Sequence, residues 1–214
     1  FSRRGVPVTA YAVAMAMERN PDAIAAMNEA GWEIASHGLR WIDYQNFSIS
    51  HERGHMKRAL DIHSRIAGER PLGWYTGRCS PNTRRLVVEE EGFLYDSDSY
   101  ADDLPYWNTE YGRPHLVIPY TLDTNDMRFA TSQGFNSGDQ FFAYLRDAFD
   151  TLYAEGADAP KMLSVGLHCR LAGRPGRTAA LARFLDHIQG HERVWLCRRI
   201  DIARHWRDQH PYTP

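Results

Sequence analysis

Two histidines stand where short strands should run out into loops. Ser36-His37-Gly38 follows Gly31-Trp32-Glu33-Ile34-Ala35, a run with a β-branched centre, and His168 closes Lys161-Met162-Leu163-Ser164-Val165-Gly166-Leu167. In barrel-like and open α/β sheets the binding crevice lies at the carboxyl ends of the strands, so an imidazole there is placed for proton transfer or metal ligation. A histidine four residues after His37 would complete a metal-holding pair, but position 41 is tryptophan, which has no lone pair to offer a cation. The pattern reads as a metal site lacking a ligand. Asp96 and Asp98 share one face of a period-two strand. They either point together toward the crevice or accept backbone N–H groups of the loop that follows. Thr121-Leu122-Asp123-Thr124-Asn125-Asp126 is a polar cluster suited to a polar ligand.

Other patterns carry less. His51-Glu52-Arg53-Gly54-His55 matches the His-Glu-x-x-His of zinc proteases, but so short a pattern arises readily by chance and Gly54 weakens the helix it needs. His168 and Cys169 are neighbours on an expected strand and would point to opposite faces, which rules out a direct dyad. Cys79, beside Arg78, has either a lowered pKa or an ordinary buried thiol. No Gly-x-Ser-x-Gly elbow, phosphate-cradling loop or dinucleotide fingerprint is present.

The elements that must position these residues alternate along the chain. Phe1 to Gly5 reads as the last turn of a helix, with cations near its end and a glycine closing it; its preceding strand would lie before Phe1. A strand over Val6 to Ala14 leads to Asn20-Pro21-Asp22, a helix start with proline at the first position. The strand Glu33 to Ser36 and a loop from His37 to Ser48 follow. Ser50 can cap a helix in which Met56, Ala59, Leu60, His63, Ile66 and Ala67 recur at spacings of three and four. Strands are expected at Pro71 to Tyr75, Phe93 to Asp98, Leu116 to Tyr120, Lys161 to His168 and Arg193 to Cys197, with a loop over 99–114. Helices are expected from Asn82 to Glu91, after Ser137, around Leu181 to Ile188, and from Ile200 to Arg207. Seven strands separated mostly by helices argue for one α/β domain over residues 1–214, an irregular (β/α) barrel with its site at the C-terminal mouth.

A chain of 214 residues, 43% hydrophobic, can bury one good core. A net charge of −2 with interspersed signs supplies neither a basic stripe for nucleic acid nor a polybasic membrane patch. Three cysteines, far apart and never as Cys-x-x-Cys, suggest no disulfide framework or structural zinc site and fit a reducing cytoplasm. A homo-oligomer is expected.

The order Ser36-His37-Gly38, Gly77-Arg78-Cys79-Ser80-Pro81, Tyr95-Asp96-Ser97-Asp98 and Leu163 to His168 resembles the polysaccharide deacetylase fold family. More narrowly, SHGLRWIDY (Ser36 to Tyr44), GWYTGRCSPNTRRL (Gly73 to Leu86), PYTLDTNDMR (Pro119 to Arg128) and GLHCR (Gly166 to Arg170) are similar to the bacterial metal-independent allantoinases of that family. The resemblance implies hydrolysis of the hydantoin ring of allantoin to allantoate, in purine breakdown, with no metal or other cofactor. It departs from the wider family at Trp41, where metal-dependent members carry the second histidine of His-x-x-x-His. The family's first motif, which supplies a base, should lie upstream of Phe1.

Opening a cyclic amide needs an activated water, stabilised charge on the carbonyl oxygen and a proton for the departing nitrogen. His168 can give that proton, and His37 can hold the water or polarise the carbonyl. Arg78 offers a planar fork to carbonyl and ureido groups or to a nearby carboxylate. Asn125 and Asp126 can read ring N–H and C=O groups, and Trp41 and Tyr75 can serve as flat walls. The rival readings are a cyclic imide hydrolase, a carbohydrate N-deacetylase of the same fold, or an inactive deacetylase-like fragment that only binds or assembles.

Overall fold

The computed structural model describes residues 1–214 and is α/β, with a six-stranded, mostly parallel sheet and eight α-helices. The chain forms two compact units. The first comprises residues 1–99, 105–118 and 196–214, the second residues 100–104 and 119–195.

The first unit holds the whole sheet. Its strands β1 (Thr9–Ala12), β2 (Glu33–Ser36), β3 (Gly73–Trp74), β4 (Tyr95–Asp96), β5 (Tyr106–Asn108) and β6 (His115–Val117) pair in the order β1-β2-β3-β4-β6-β5, and only β5 runs antiparallel. The register places Ala12, Ser36, Trp74, Asp96 and Val117 in one row near the carboxyl ends. One residue further on, the amides of His37, Tyr75, Ser97 and Ile118 donate to the carbonyls of Ala12, Ser36, Trp74 and Asp96 at 2.9–3.0 Å. His37 therefore leaves the sheet at the edge of that row, where a strand-end site is expected.

Helices cover this sheet where apolar spacing demands it. Helix α1 (Ala14–Arg19) is followed by α2 (Pro21–Glu29), with proline at its first turn as its sequence predicts. Helix α3 (Ile49–Ala67) presents Ala59 and Ile62 to a core of Ala14, Met17, Ile24 and Leu39, and Met56 and Leu60 to a second core of Trp74, Leu86, Val87 and Phe93. Its cap is Ser48, whose Oγ accepts from His51 N at 3.3 Å, rather than Ser50. His63, fully buried on this helix, is pushed down to about 4 by desolvation and is a neutral packing residue. Helix α4 (Thr83–Glu90) follows Asn82, and α8 (Arg199–Gln209) closes the unit.

The second unit is helical. Helices α5 (Gly138–Glu155) and α7 (Pro175–Gln189) bury Phe141, Leu145, Phe149, Leu181, Phe184, Leu185 and Ile188. Between them in sequence lies α6 (Cys169–Ala172), one turn long.

Several expected elements change. The segment Val6 to Ala14 is a strand only over Thr9–Ala12, because Ala14-Met15-Ala16-Met17, all good helix formers, already belong to α1. The loop over 99–114 contains β5, whose three residues Tyr106-Trp107-Asn108 are too few to show a period in sequence. Two of the seven expected strands are absent: Lys161 to His168 and Arg193 to Cys197 make no ladder. The first is held instead by side chains, with Ser164 N donating to Thr121 Oγ1 at 3.0 Å and Thr124 Oγ1 donating to the carbonyl of Ser164 at 2.5 Å. Apolar runs mark burial, and burial alone does not tell a ladder from a pinned extended segment.

Candidate active site

In the first unit, His37 is oriented by backbone and rings. Its Nδ1 donates to the carbonyl of Tyr75, and its ring stacks on the Tyr75 ring with centroids 5.4 Å apart and an 8° tilt. Donation from Nδ1 selects the neutral tautomer whose lone pair is on Nε2. Tyr11 lies against both rings, at 5.1 Å from Tyr75 and 6.3 Å from His37. Its hydroxyl donates to Ser97 Oγ at 2.8 Å, and the buried Arg199 donates to the same oxygen at 3.1 Å and to the carbonyl of Ile118 at 3.0 Å. Gly77 is needed beside this stack. Its φ of +68° favours glycine, and a Cβ there would meet Tyr75 Oη at 2.9 Å.

Trp41 and Arg78 stack on one another. Trp41 is 42% exposed and the Arg78 guanidinium sits 4.5 Å from the centre of its ring. This arrangement does not fit the metal that deacetylases of this fold use. Trp41 offers no lone pair to an ion, and the cation already resting on its indole repels a second one.

Asp96 and Asp98 do not act as a pair. Asp96 is buried between Arg84, which donates to both its oxygens at 3.0 and 3.1 Å, and His115, whose Nε2 lies 3.0 Å away. Burial would raise its carboxyl, but His115 and Arg84 more than offset this and hold it below the usual range. Asp98 accepts from the backbone N–H groups of Thr76 and Gly77 at 3.0 and 2.7 Å, and from Thr76 Oγ1 at 3.1 Å. It braces the turn before Arg78 instead of the loop that follows it. Burial first and the Asp96 charge second push Asp98 up to about 6. Both acids, with Arg84, Cys79 and Tyr111, line a cavity of about 200 Å³.

In the second unit, His168 is oriented by charge. Its Nδ1 lies 2.7 Å from Oδ1 of the fully buried Asp126, whose Oδ2 accepts from the backbone N–H groups of His168 and Ala172 at 2.8 and 2.9 Å. Asp126 was expected to face a ligand; its carboxylate instead holds His168 and the last residue of α6. Asn125 is likewise occupied: Oδ1 accepts from Met127 N at 2.8 Å as the cap of a 3₁₀ turn, and Nδ2 donates to Tyr120 Oη at 2.9 Å. Gly166 makes this packing possible, since a Cβ would lie 1.9 Å from Tyr120 Oη and 2.6 Å from Asn125 Nδ2.

The His-Glu-x-x-His motif is dismantled by the fold. Glu52 is buried and accepts from the hydroxyls of Ser80 and Thr83, tying α3 to the start of α4, while His51 stacks on Phe47. All three cysteines are free, and partial desolvation with the nearby Asp98 pushes the Cys79 thiol up, which makes it a poor nucleophile. The residues that sequence reasoning missed are Arg84, His115, Arg199 and Tyr11. Each acts through a partner distant in the chain, and none lies in a recognisable spacing.

The polysaccharide deacetylase family model matches residues 1–92. A Schizosaccharomyces pombe protein designated a polysaccharide deacetylase is 43% identical over an alignment 229 positions long, which spans 99% of this chain and 72% of that protein. Two crystal structures match the whole chain with a TM-score of 0.97. One is a Pseudomonas aeruginosa PAO1 protein designated a polysaccharide deacetylase, 64% identical, with 72% of its chain covered. The other is PuuE allantoinase, 66% identical, with 71% covered. No helix is long and apolar enough to cross a membrane. With 43% identity to a relative across 99% of its length, the chain belongs to the polysaccharide deacetylase family, whose members are hydrolases acting on carbon–nitrogen bonds.

Proposed function

We propose that the protein is a cyclic amide hydrolase that opens the hydantoin ring of allantoin to allantoate, without a metal. The observation that carries this reading is the Asp126–His168 pair. A buried carboxylate holding Nδ1–H directs Nε2 outward as the proton-carrying atom and stabilises the imidazolium whenever that nitrogen is protonated. His168 is then the acid that protonates the departing ring nitrogen.

His37 has a narrower role than its residue type allows. With Nδ1–H given to the Tyr75 carbonyl, Nε2 is an acceptor, which suits holding the attacking water and not donating to a carbonyl oxygen. Arg78, stacked on Trp41, presents its planar donors to ureido groups. Asp126 is a positioning residue for His168, and Asn125 one for the turn that delivers Asp126. The likeness to PuuE allantoinase supports the choice of substrate. Purine catabolism, a cytoplasmic setting and a homo-oligomeric assembly go with this reading.

The test is turnover by metal-stripped protein of allantoin, succinimide and acetylated chitooligosaccharides in parallel. Allantoin alone should be hydrolysed, at a rate that added Zn²⁺ does not raise. Hydrolysis of succinimide or the acetylated sugars in its place would overturn the substrate assignment, and no turnover of any would support an inactive, ligand-binding protein.

A further inference from the structure

The second unit holds another cluster of ligand-type side chains, none of which helps to orient His168. His187 lies in the last turns of α7, His191 follows the capping Gly190, and Asp150 reaches them from α5. His187 Nε2 is 2.7 Å from Asp150 Oδ1, and His191 Nδ1 is 2.9 Å from the carbonyl oxygen of His187. One ligand atom from each of the three residues lies within 4.8 Å of the other two.

The carbonyl contact has a chemical consequence. Donation of Nδ1–H to a backbone oxygen leaves the lone pair of His191 on Nε2, and this is the outer contact that orients metal-bound imidazoles. Phe149 packs edge-on to both histidines, at 5.8 and 5.0 Å, and Tyr153 packs on His191 at 4.9 Å. These rings limit the rotamers of both imidazoles. The Asp150 and His187 side chains remain 45% and 27% exposed, which leaves an entry path for an ion.

We propose that Asp150, His187 and His191 form a binding site for a borderline divalent transition-metal ion, of the zinc or nickel class, that clips the end of α7 to α5. Two imidazoles and a carboxylate satisfy such ions and leave one position for water, whereas magnesium and calcium prefer all-oxygen shells. Bonds of about 2.0–2.2 Å place tetrahedral ligand atoms roughly 3.4 Å apart, so the widest gap must close by about 1.4 Å. Rotation of side chains at a helix end supplies that movement.

Equilibrium dialysis of the full chain against Zn²⁺, and separately Ni²⁺, with metal counted per chain, tests this. The wild type should hold one more equivalent than the His187→Gln/His191→Gln variant, and metal should raise the melting temperature of the wild type only. Asp150→Asn, which keeps the side-chain shape, should weaken binding by more than the roughly 10- to 100-fold typical of losing an outer-shell contact. Equal metal content in wild type and double variant, or a wild-type melting temperature unmoved by saturating Zn²⁺, would overturn the proposal. The readouts do not involve turnover, so this result and that of the substrate test are independent.

Discussion

His37 and His168 are the same side chain held in two ways. Each gives its Nδ1 proton to an oxygen of its own unit, yet the oxygen is a neutral carbonyl for His37 and a buried carboxylate for His168. Donation to the Tyr75 carbonyl leaves the Nε2 of His37 as the acceptor of its neutral ring. The buried Asp126 carboxylate instead holds His168 at both its Nδ1 and its backbone N–H. On the proposed reading the difference gives water-holding to one ring and proton delivery to the other, and it rests on partners rather than on the histidines.

The largest effect expected is from His168→Ala, which should lower kcat on allantoin by about 10²- to 10⁴-fold. An undiminished rate would remove His168 from the chemistry. Asp126→Asn sharpens the point, because its amide would donate to Nδ1 and place the ring proton on Nε2. Here kcat should fall by roughly 10²-fold or more while circular dichroism stays native. A rate within a factor of about two of wild type would mean that orientation by charge does not matter.

His37→Ala should cost about 10²-fold, at the lower end for a group that manages a proton. If the two rings serve one step, the double variant should be little worse than His168→Ala alone, since residues acting as a unit are strongly non-additive. Full multiplication of the two losses would separate their roles.

The smallest effect concerns stability in the unit that carries His37. Asp98 titrates near 6 when folded against 3.8 unfolded, so between these values the folded state binds the extra proton. Stability should therefore decline as pH rises through that window, by on the order of 2–3 kcal/mol. Urea denaturation of Asp98→Asn should show this decline flattened; parallel pH profiles for the two proteins would show that Asp98 is not its source.

Much of this was legible locally. The glycine and proline punctuation, the cap at Ser137, the strand ending at Ser36 and both histidines follow from residue type and short spacing, because turns, caps and strand ends are decided within a few residues. The two acids after Tyr95 show the limit. Alternation predicts a shared face, but it was the distant Arg84 and the turn at Thr76 that gave Asp96 and Asp98 separate partners and opposite shifts.

By itself the sequence determined an α/β chain of this family with an imidazole at the end of β2, another at position 168, and an indole in place of a metal ligand. The tertiary structure alone decided which partner each group meets. Asp126 meets His168 across 42 residues, and the Arg199 guanidinium reaches Ser97 Oγ across 102. A buried charge is tolerated only where such partners converge, and nothing within a few residues of either group specifies that convergence.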